Sequence, residues 1–214
     1  MARNLGDCVP LLVMLTRATR VATEQQLETF AELYPVFQGS CTAATRRLLL
    51  GGLLTCHDLT IRMREIHAPL FTWRVGDSGP DCATLAADLA RSLTEAPWRR
   101  TRLFWATRKA VSLVGGISGV NRQPLQVQHD LCTTQTYLKF LEQGPHPPGL
   151  MWVGEDVLRF EFPQIFKKKR PDAAILQSPD CPIRIIETGG TYSADDLRHI
   201  HRCYARERIP YELW

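Results

Sequence analysis

The 214-residue chain has no run of about 18 apolar residues, so no segment reads as a membrane-spanning helix. Its opening residues, "MARNLGDCVP", carry too few apolar positions for a secretory leader, and a soluble, cytoplasmic protein is expected. No Cys-x-x-Cys pair occurs, and seven cysteines cannot all pair. Cys8, Cys41, Cys56, Cys82, Cys132, Cys181 and Cys203 therefore read as reduced thiols. Zinc could draw on Cys181, His199, His201 and Cys203, but the two histidines are two apart on an expected helix and point to different faces, so ordinary thiols are the better account. Also missing are a P-loop, a GxSxG and an HExxH, which removes the commonest nucleotide-binding, serine-hydrolase and metalloprotease chemistries. "LVGGISG" lacks the following Lys-Ser/Thr and reads as a flexible turn.

What is present begins with charge. The net +4 is uneven: residues 1–116 hold 14 Lys and Arg against 10 Asp and Glu, while residues 117–214 hold 12 of each. The excess in the first half hints at nucleic acid as a partner. With 44% apolar residues the chain can bury one large core or two small ones, and its length slightly favours two domains.

In the first half, "PLLVMLTRAT" reads as a short apolar helix with Pro10 in its first turn. "TEQQLETFAELY" follows, with Thr23 and Gln26 in capping-box spacing and Leu27, Phe30, Ala31 and Tyr34 on one face. In "CTAATRRLLLGGLL", Thr42 can cap a third helix, Leu48 and Leu49 can pack, and Gly51-Gly52 can stop it. That helix would expose Thr45, Arg46 and Arg47, as the recognition helix of a helix-turn-helix exposes its readers of guanine edges and phosphates. A surface face on a small helical bundle is the alternative. "LLTCHDLTIRMR" and "LFTWRV" read as strands, "TLAADLARSL" as a helix with Leu85 and Leu89 on one side, and "RRTRLFWATRKAVSLVGG" as a strand, a Thr107 cap, a short helix and a glycine stop. Arg99, Arg100 and Arg102 would stand where a wing meets phosphate, or on a solvated edge strand.

"ISGVNRQP", 117–124, reads as a linker. Beyond it come a helix with Val127, Leu131, Leu138 and Leu141, ended by Gly144 and three prolines, then the short strands "LMWVG", "DAAIL" and "IRIIE", a Ser-capped helix from about Ser193, and the strand "PYELW". This order, with Pro171-Asp172 opening the second strand and Glu187 ending the third, resembles the PD-(D/E)xK nuclease fold. In that arrangement Asp172 and Glu187 lie side by side and can hold Mg²⁺ against a scissile phosphate. The fold's lysine belongs two residues after the Glu, where this chain has Gly189. Lys167, Lys168 and Lys169 precede the Pro-Asp and could lend an ammonium or meet phosphate; His129 and Asp130 could supply a further acidic group or form a structural pair.

Over residues 10–214 the chain resembles the replication-relaxation family of bacterial plasmids and mobile elements, on "RRTRLFWATRKAVSLVGG", "HDL", "RPDAAIL" and "IETGGTY" in that order. The resemblance implies a winged helix-turn-helix followed by a nuclease-like domain, and DNA binding in replication, mobilisation or their regulation. The expected architecture is α+β then α/β: a winged helix-turn-helix domain over 1–116, a linker over 117–124, and a nuclease-like α/β domain over 125–214 ordered helix, three strands, helix, strand. The favoured function is binding of double-stranded DNA, without catalysis because the lysine is missing and hence without cofactor. A homodimer would read palindromic half-sites, through the Leu85/Leu89 helix or a sheet edge. The alternatives are a Mg²⁺-dependent endonuclease, with Asp172 and Glu187 as metal ligands and Asp130 and His129 in support, and a protein-interaction module that does not touch DNA.

Overall fold

In the computed structural model, which describes residues 6–34, 37, 39–119, 124–166 and 169–214, local caps delimit most of the helices. Helix α1 (Val9–Val13) carries Pro10 in its first turn, where no amide donor is needed, and a π turn over Met14–Ala18 extends it. After the short strand β1 (Ala22–Thr23), α2 (Glu24–Leu33) opens on the expected capping box: the Gln26 amide N–H donates to Thr23 Oγ1 at 3.1 Å, and the Thr23 N–H donates to Gln26 Oε1 at 3.0 Å. Helix α3 (Cys41–Leu50) is capped by Ser40, whose hydroxyl accepts from the Ala43 N–H, and not by Thr42 as its sequence suggests; it stops at Gly51.

Strands β2 (Leu54–Arg62) and β3 (Phe71–Trp73) precede α4 (Cys82–Glu95), which Asp81 caps. Strand β4 (Trp98–Ala106) leads through the Thr107 cap into α5 (Arg108–Val114), which ends at Gly115, where a φ of 75° suits glycine. The long α6 (Pro124–Glu142) follows, then β5 (Met151–Gly154), α7 (Glu155–Glu161), β6 (Ala173–Ser178), β7 (Cys181–Glu187), α8 (Ala194–Glu207) and β8 (Tyr211–Leu213). The sequence pattern does not suggest α7, which lies between the first two strands of the second half. Among the described residues no helix is long and apolar enough to cross a membrane.

The architecture is mixed α/β with two open sheets, one of three strands ordered β1-β4-β2 and one of five ordered β3-β8-β7-β6-β5. The chain divides into two compact units, and neither is consecutive. One comprises Met1–Ile61 and Arg99–Pro145, the other Arg62–Trp98 and His146–Trp214. This differs from the division at a 117–124 linker, of which residues 120–123 lie outside the described residues.

Two elements account for the difference. Helix α6, expected to open the second domain, packs in the first unit against α2: Tyr137 stacks on Phe30 with centroids 6.3 Å apart, and Gln26 Nε2 donates to Leu131 O at 3.1 Å. The stretch between β2 and β4, expected to be wing and connecting helix, supplies β3 and α4 to the second unit. There Trp73, Cys82 and Leu89 join the core formed by Val153, Leu176, Ile185, Leu197 and Tyr204. Leu89 is fully buried in that core and Leu85 partly, so the α4 face proposed for a dimer is already covered. An apolar stripe shows that a face is buried, but not which neighbour buries it.

In the five-stranded sheet β5, β6 and β7 form an antiparallel meander, while β8 runs parallel to β7. A parallel neighbour needs a crossover, and α8 provides it. Helix α8 starts on a Ser193–Asp196 capping box and turns Leu197, Ile200 and Tyr204 inward.

Candidate functional site

The β6–β7 pairing decides where the two acids stand. Ala173 is opposite Ile186 and Ala174 opposite Ile185, so continuing the register by one residue sets Asp172 opposite Glu187 at the end of the hairpin. Neither is a free surface carboxylate. Asp172 is 9% exposed, and its Oδ2 accepts from the Thr188 N–H at 2.7 Å and the Thr188 hydroxyl at 3.0 Å. Glu187 is fully buried, and both of its oxygens are engaged.

The third charge comes from upstream. Lys169 Nζ lies 3.0 Å from Glu187 Oε1 and 3.1 Å from Oε2, and also donates to the Arg170 carbonyl at 2.9 Å. The Tyr192 hydroxyl donates to Oε2 at 3.1 Å, and Tyr204, from the inner face of α8, donates to Oε1. Burial and the neighbouring Asp172 push the Glu187 carboxyl up to about 7, against the pull of Lys169 and Tyr204. For Lys169, burial opposes the ammonium, but Glu187 and Asp172 outweigh it and raise its pKa above the usual value. Burial, with the nearby carboxylates, raises both tyrosines, so they stay neutral donors.

Gly189, where the nuclease lysine would stand, has no room for one. A Cβ there would overlap a methyl group of Leu89 and approach the Trp214 carbonyl at 2.9 Å, and the Gly189 N–H already donates to that carbonyl at 2.6 Å. Packing of α4 against the hairpin thus closes position 189 to a side chain, and the ammonium beside Glu187 is that of Lys169.

The structure brings together Asp172, Glu187 and Lys169, with Lys169 paired to a carboxylate instead of set out for phosphate. Lys167 and Lys168 lie outside the described residues. His129 and Asp130 belong to the first unit. Asp130 takes a 2.9 Å ion pair from Arg20 and a 2.9 Å hydrogen bond from Gln126, and although burial opposes ionisation, His129, Arg20 and Gln126 together hold its pKa below the usual carboxylate range. On α6, His129 Nδ1 lies 3.7 Å from Asp130 Oδ1.

Of the expected DNA readers on α3, Arg46 is exposed and Arg47 half-buried, but Thr45 faces inward, 8% exposed, with its hydroxyl 4.0 Å from Cys41 Sγ. Arg99, Arg100 and Arg102 are exposed on β4. Arg100 and Arg102 reach Asp58 at 3.5 and 3.2 Å, weak surface pairs that leave the guanidinium groups accessible.

The zinc alternative gains no geometry: Cys203 Sγ is 3.6 Å from His199 Nε2, whereas His201 Nδ1 meets the Tyr211 hydroxyl at 3.1 Å, and among the described residues no three His, Cys, Asp or Glu side chains are grouped to hold a metal. The sequence reading missed Thr188, Tyr192 and Tyr204 as partners of the acids. Tyr204 lies on the inward face of α8, and no sequence periodicity tells where its hydroxyl ends.

No family model matches the chain, no curated protein matches it, and no solved structure matches it.

Proposed function

We propose that this protein binds double-stranded DNA through its first unit and that its second unit carries a Mg²⁺-dependent endonuclease site built on Asp172, Glu187 and Lys169. For the first unit the support is topological. The run α1, β1, α2, α3, β2, β4 with strands ordered β1-β4-β2 supports reading this unit as a winged helix, with α3 as recognition helix and the stretch between β2 and β4 as an enlarged wing. For the second, the support is the antiparallel β5-β6-β7 set followed by α8 and the parallel β8, an order compatible with a PD-(D/E)xK core.

The observation that carries the nuclease reading is the Lys169 ammonium at 3.0 Å from Glu187, beside Asp172. The residues fit a hard divalent cation: they offer two carboxylates whose mutual repulsion a cation relieves, and two protein ligands suit Mg²⁺, which keeps much of its water. Bound there, Mg²⁺ would polarise the scissile phosphate and acidify a water. Asp172, held by Thr188, and Glu187, held by the two tyrosines, would present fixed oxygens; Lys169 would set a positive charge where negative charge develops on the phosphate.

A second reading keeps the DNA binding without the reaction, in plasmid or mobile-element replication, mobilisation or their regulation. It is favoured by the complete enclosure of Glu187 and the engagement of both its oxygens by Lys169, Tyr192 and Tyr204. Incubation of supercoiled plasmid with Mg²⁺ or Mn²⁺ separates the two. Nicking that is lost in Asp172→Ala and in Lys169→Ala supports the nuclease; no nicking by wild-type protein that binds duplex DNA leaves the non-catalytic reading. Failure to bind any duplex at low salt would remove both and favour a protein-interaction module.

A further inference from the structure

The Lys169 ammonium is arranged as a bound cation would be. It donates to Glu187 Oε2 and to the Arg170 carbonyl, and lies at ion-pair distance, 3.0 Å, from the other carboxylate oxygen, Oε1. Tyr204 donates to Oε1 and Tyr192 to Oε2, so both oxygens of the carboxylate are engaged by tyrosine hydroxyls besides the ammonium. A newcomer needs one of these donors to leave.

The three differ in freedom to do so. Tyr204 is fully buried in α8 within the hydrophobic core. Tyr192 packs against the same core. The Lys169 side chain is 23% exposed and extends from a stretch without regular secondary structure. A long, flexible ammonium stem of this kind can reorient towards water more readily than a tyrosine packed on the core.

We propose that Lys169 is a built-in occupant of the cation site, so that its ammonium and a divalent metal compete for Glu187. This rests on the nuclease reading and specifies how the site is regulated: the metal-free state is self-neutralised, and metal enters only as Lys169 withdraws. Two cations cannot share one small carboxylate without strong repulsion. The lysine thus keeps the buried acid paired at the cost of metal affinity, and on withdrawal it becomes available to a phosphate.

The test is Mn²⁺ binding to the full chain, followed by the electron paramagnetic resonance signal of free Mn²⁺ at pH 8.5, where a proton is least able to take the lysine's place on Glu187. Lys169→Met should bind Mn²⁺ at least about tenfold more tightly than wild type, because a competing charge is gone. Lys169→Gln, which keeps a donor without the charge, should behave like Met, while Lys169→Arg should keep the weak wild-type affinity; a merely structural effect of substitution would not separate Gln from Arg. Asp172→Asn should abolish binding in every background, and thermal melts identify any variant that has not folded. If Met and Gln bind no more tightly than wild type while binding still depends on Asp172, lysine and metal occupy the site together and the competition is refuted, with the nuclease reading intact. If no variant binds Mn²⁺ in an Asp172-dependent way at millimolar metal, both the competition and the metal nuclease fall.

Discussion

Leu89 of α4 fills the space into which a side chain at Gly189 would extend. With the Trp214 carbonyl at 2.9 Å, this contact leaves no space for a side chain at position 189. Gly189→Ala should destabilise the protein by about 1–3 kcal/mol through overpacking. In a double-mutant cycle with Leu89→Ala the two losses should be less than additive, because the truncated leucine makes the room that the new methyl needs. Urea denaturation of the four proteins measures the coupling; strict additivity would show that Leu89 is not what blocks the position. Gly189→Lys should not raise nicking.

The second expectation concerns pH. Glu187 holds its proton more tightly in the folded protein, at about 7 against an ordinary 4.5, so the folded state binds more protons across that interval and stability falls as pH rises through it. The loss has an upper bound of about 3 kcal/mol between pH 4.5 and 7. Glu187→Gln, which cannot titrate, should flatten this part of the profile in urea denaturation at stepped pH. An unchanged slope would mean that another group is responsible.

Asp130 should prove structural. Asp130→Asn removes the charge that pairs with Arg20 in a largely buried setting and should cost about 2–4 kcal/mol of stability. Mn²⁺ affinity and nicking per folded molecule should not change. A selective loss of nicking at unchanged stability would instead return Asp130 to the catalytic group.

On the DNA side, replacing Arg46 and Arg47 together by alanine should weaken duplex binding and lower the steepness of its salt dependence by roughly one to two units, as expected for one or two lost phosphate contacts. Replacing Arg100 and Arg102 should act in the same direction, and more strongly at low salt, where the unpaired Asp58 repels phosphate with least screening. Thr45→Val should leave affinity unchanged, since Thr45 faces inward. Fluorescence anisotropy over a salt series reads all three; equal affinity of the Arg46/Arg47 double variant and wild type would remove α3 from the interface.

Much of the local structure was legible in the chain. The Thr23–Gln26 capping box, the Thr107 and Ser193 caps, the glycine stops at Gly51 and Gly115, and the β6–β7 hairpin with its acids at one end all follow from hydrogen-bonding chemistry acting within a few residues. Such signals are local, so a linear reading can find them. Asp172 and Glu187 became neighbours for the same reason, because a tight antiparallel register links them across only 15 positions.

What depended on long-range packing was not legible. That α6 stays with the first unit while the segment from Arg62 to Trp98 joins the second is a choice between buried partners, and apolar periodicity is the same whichever partner wins. Whether Lys169 is a solvated basic residue or the counter-ion of a buried acid turned on burial of Glu187, which α8 brings about by placing Tyr204 against it. By itself the sequence determined the elements, their caps and the pair of acids. Only the tertiary structure decided that Lys169 meets those acids and that position 189 holds no side chain, because α4 sets Leu89 against Gly189 and the burial of Glu187 draws the ammonium to it.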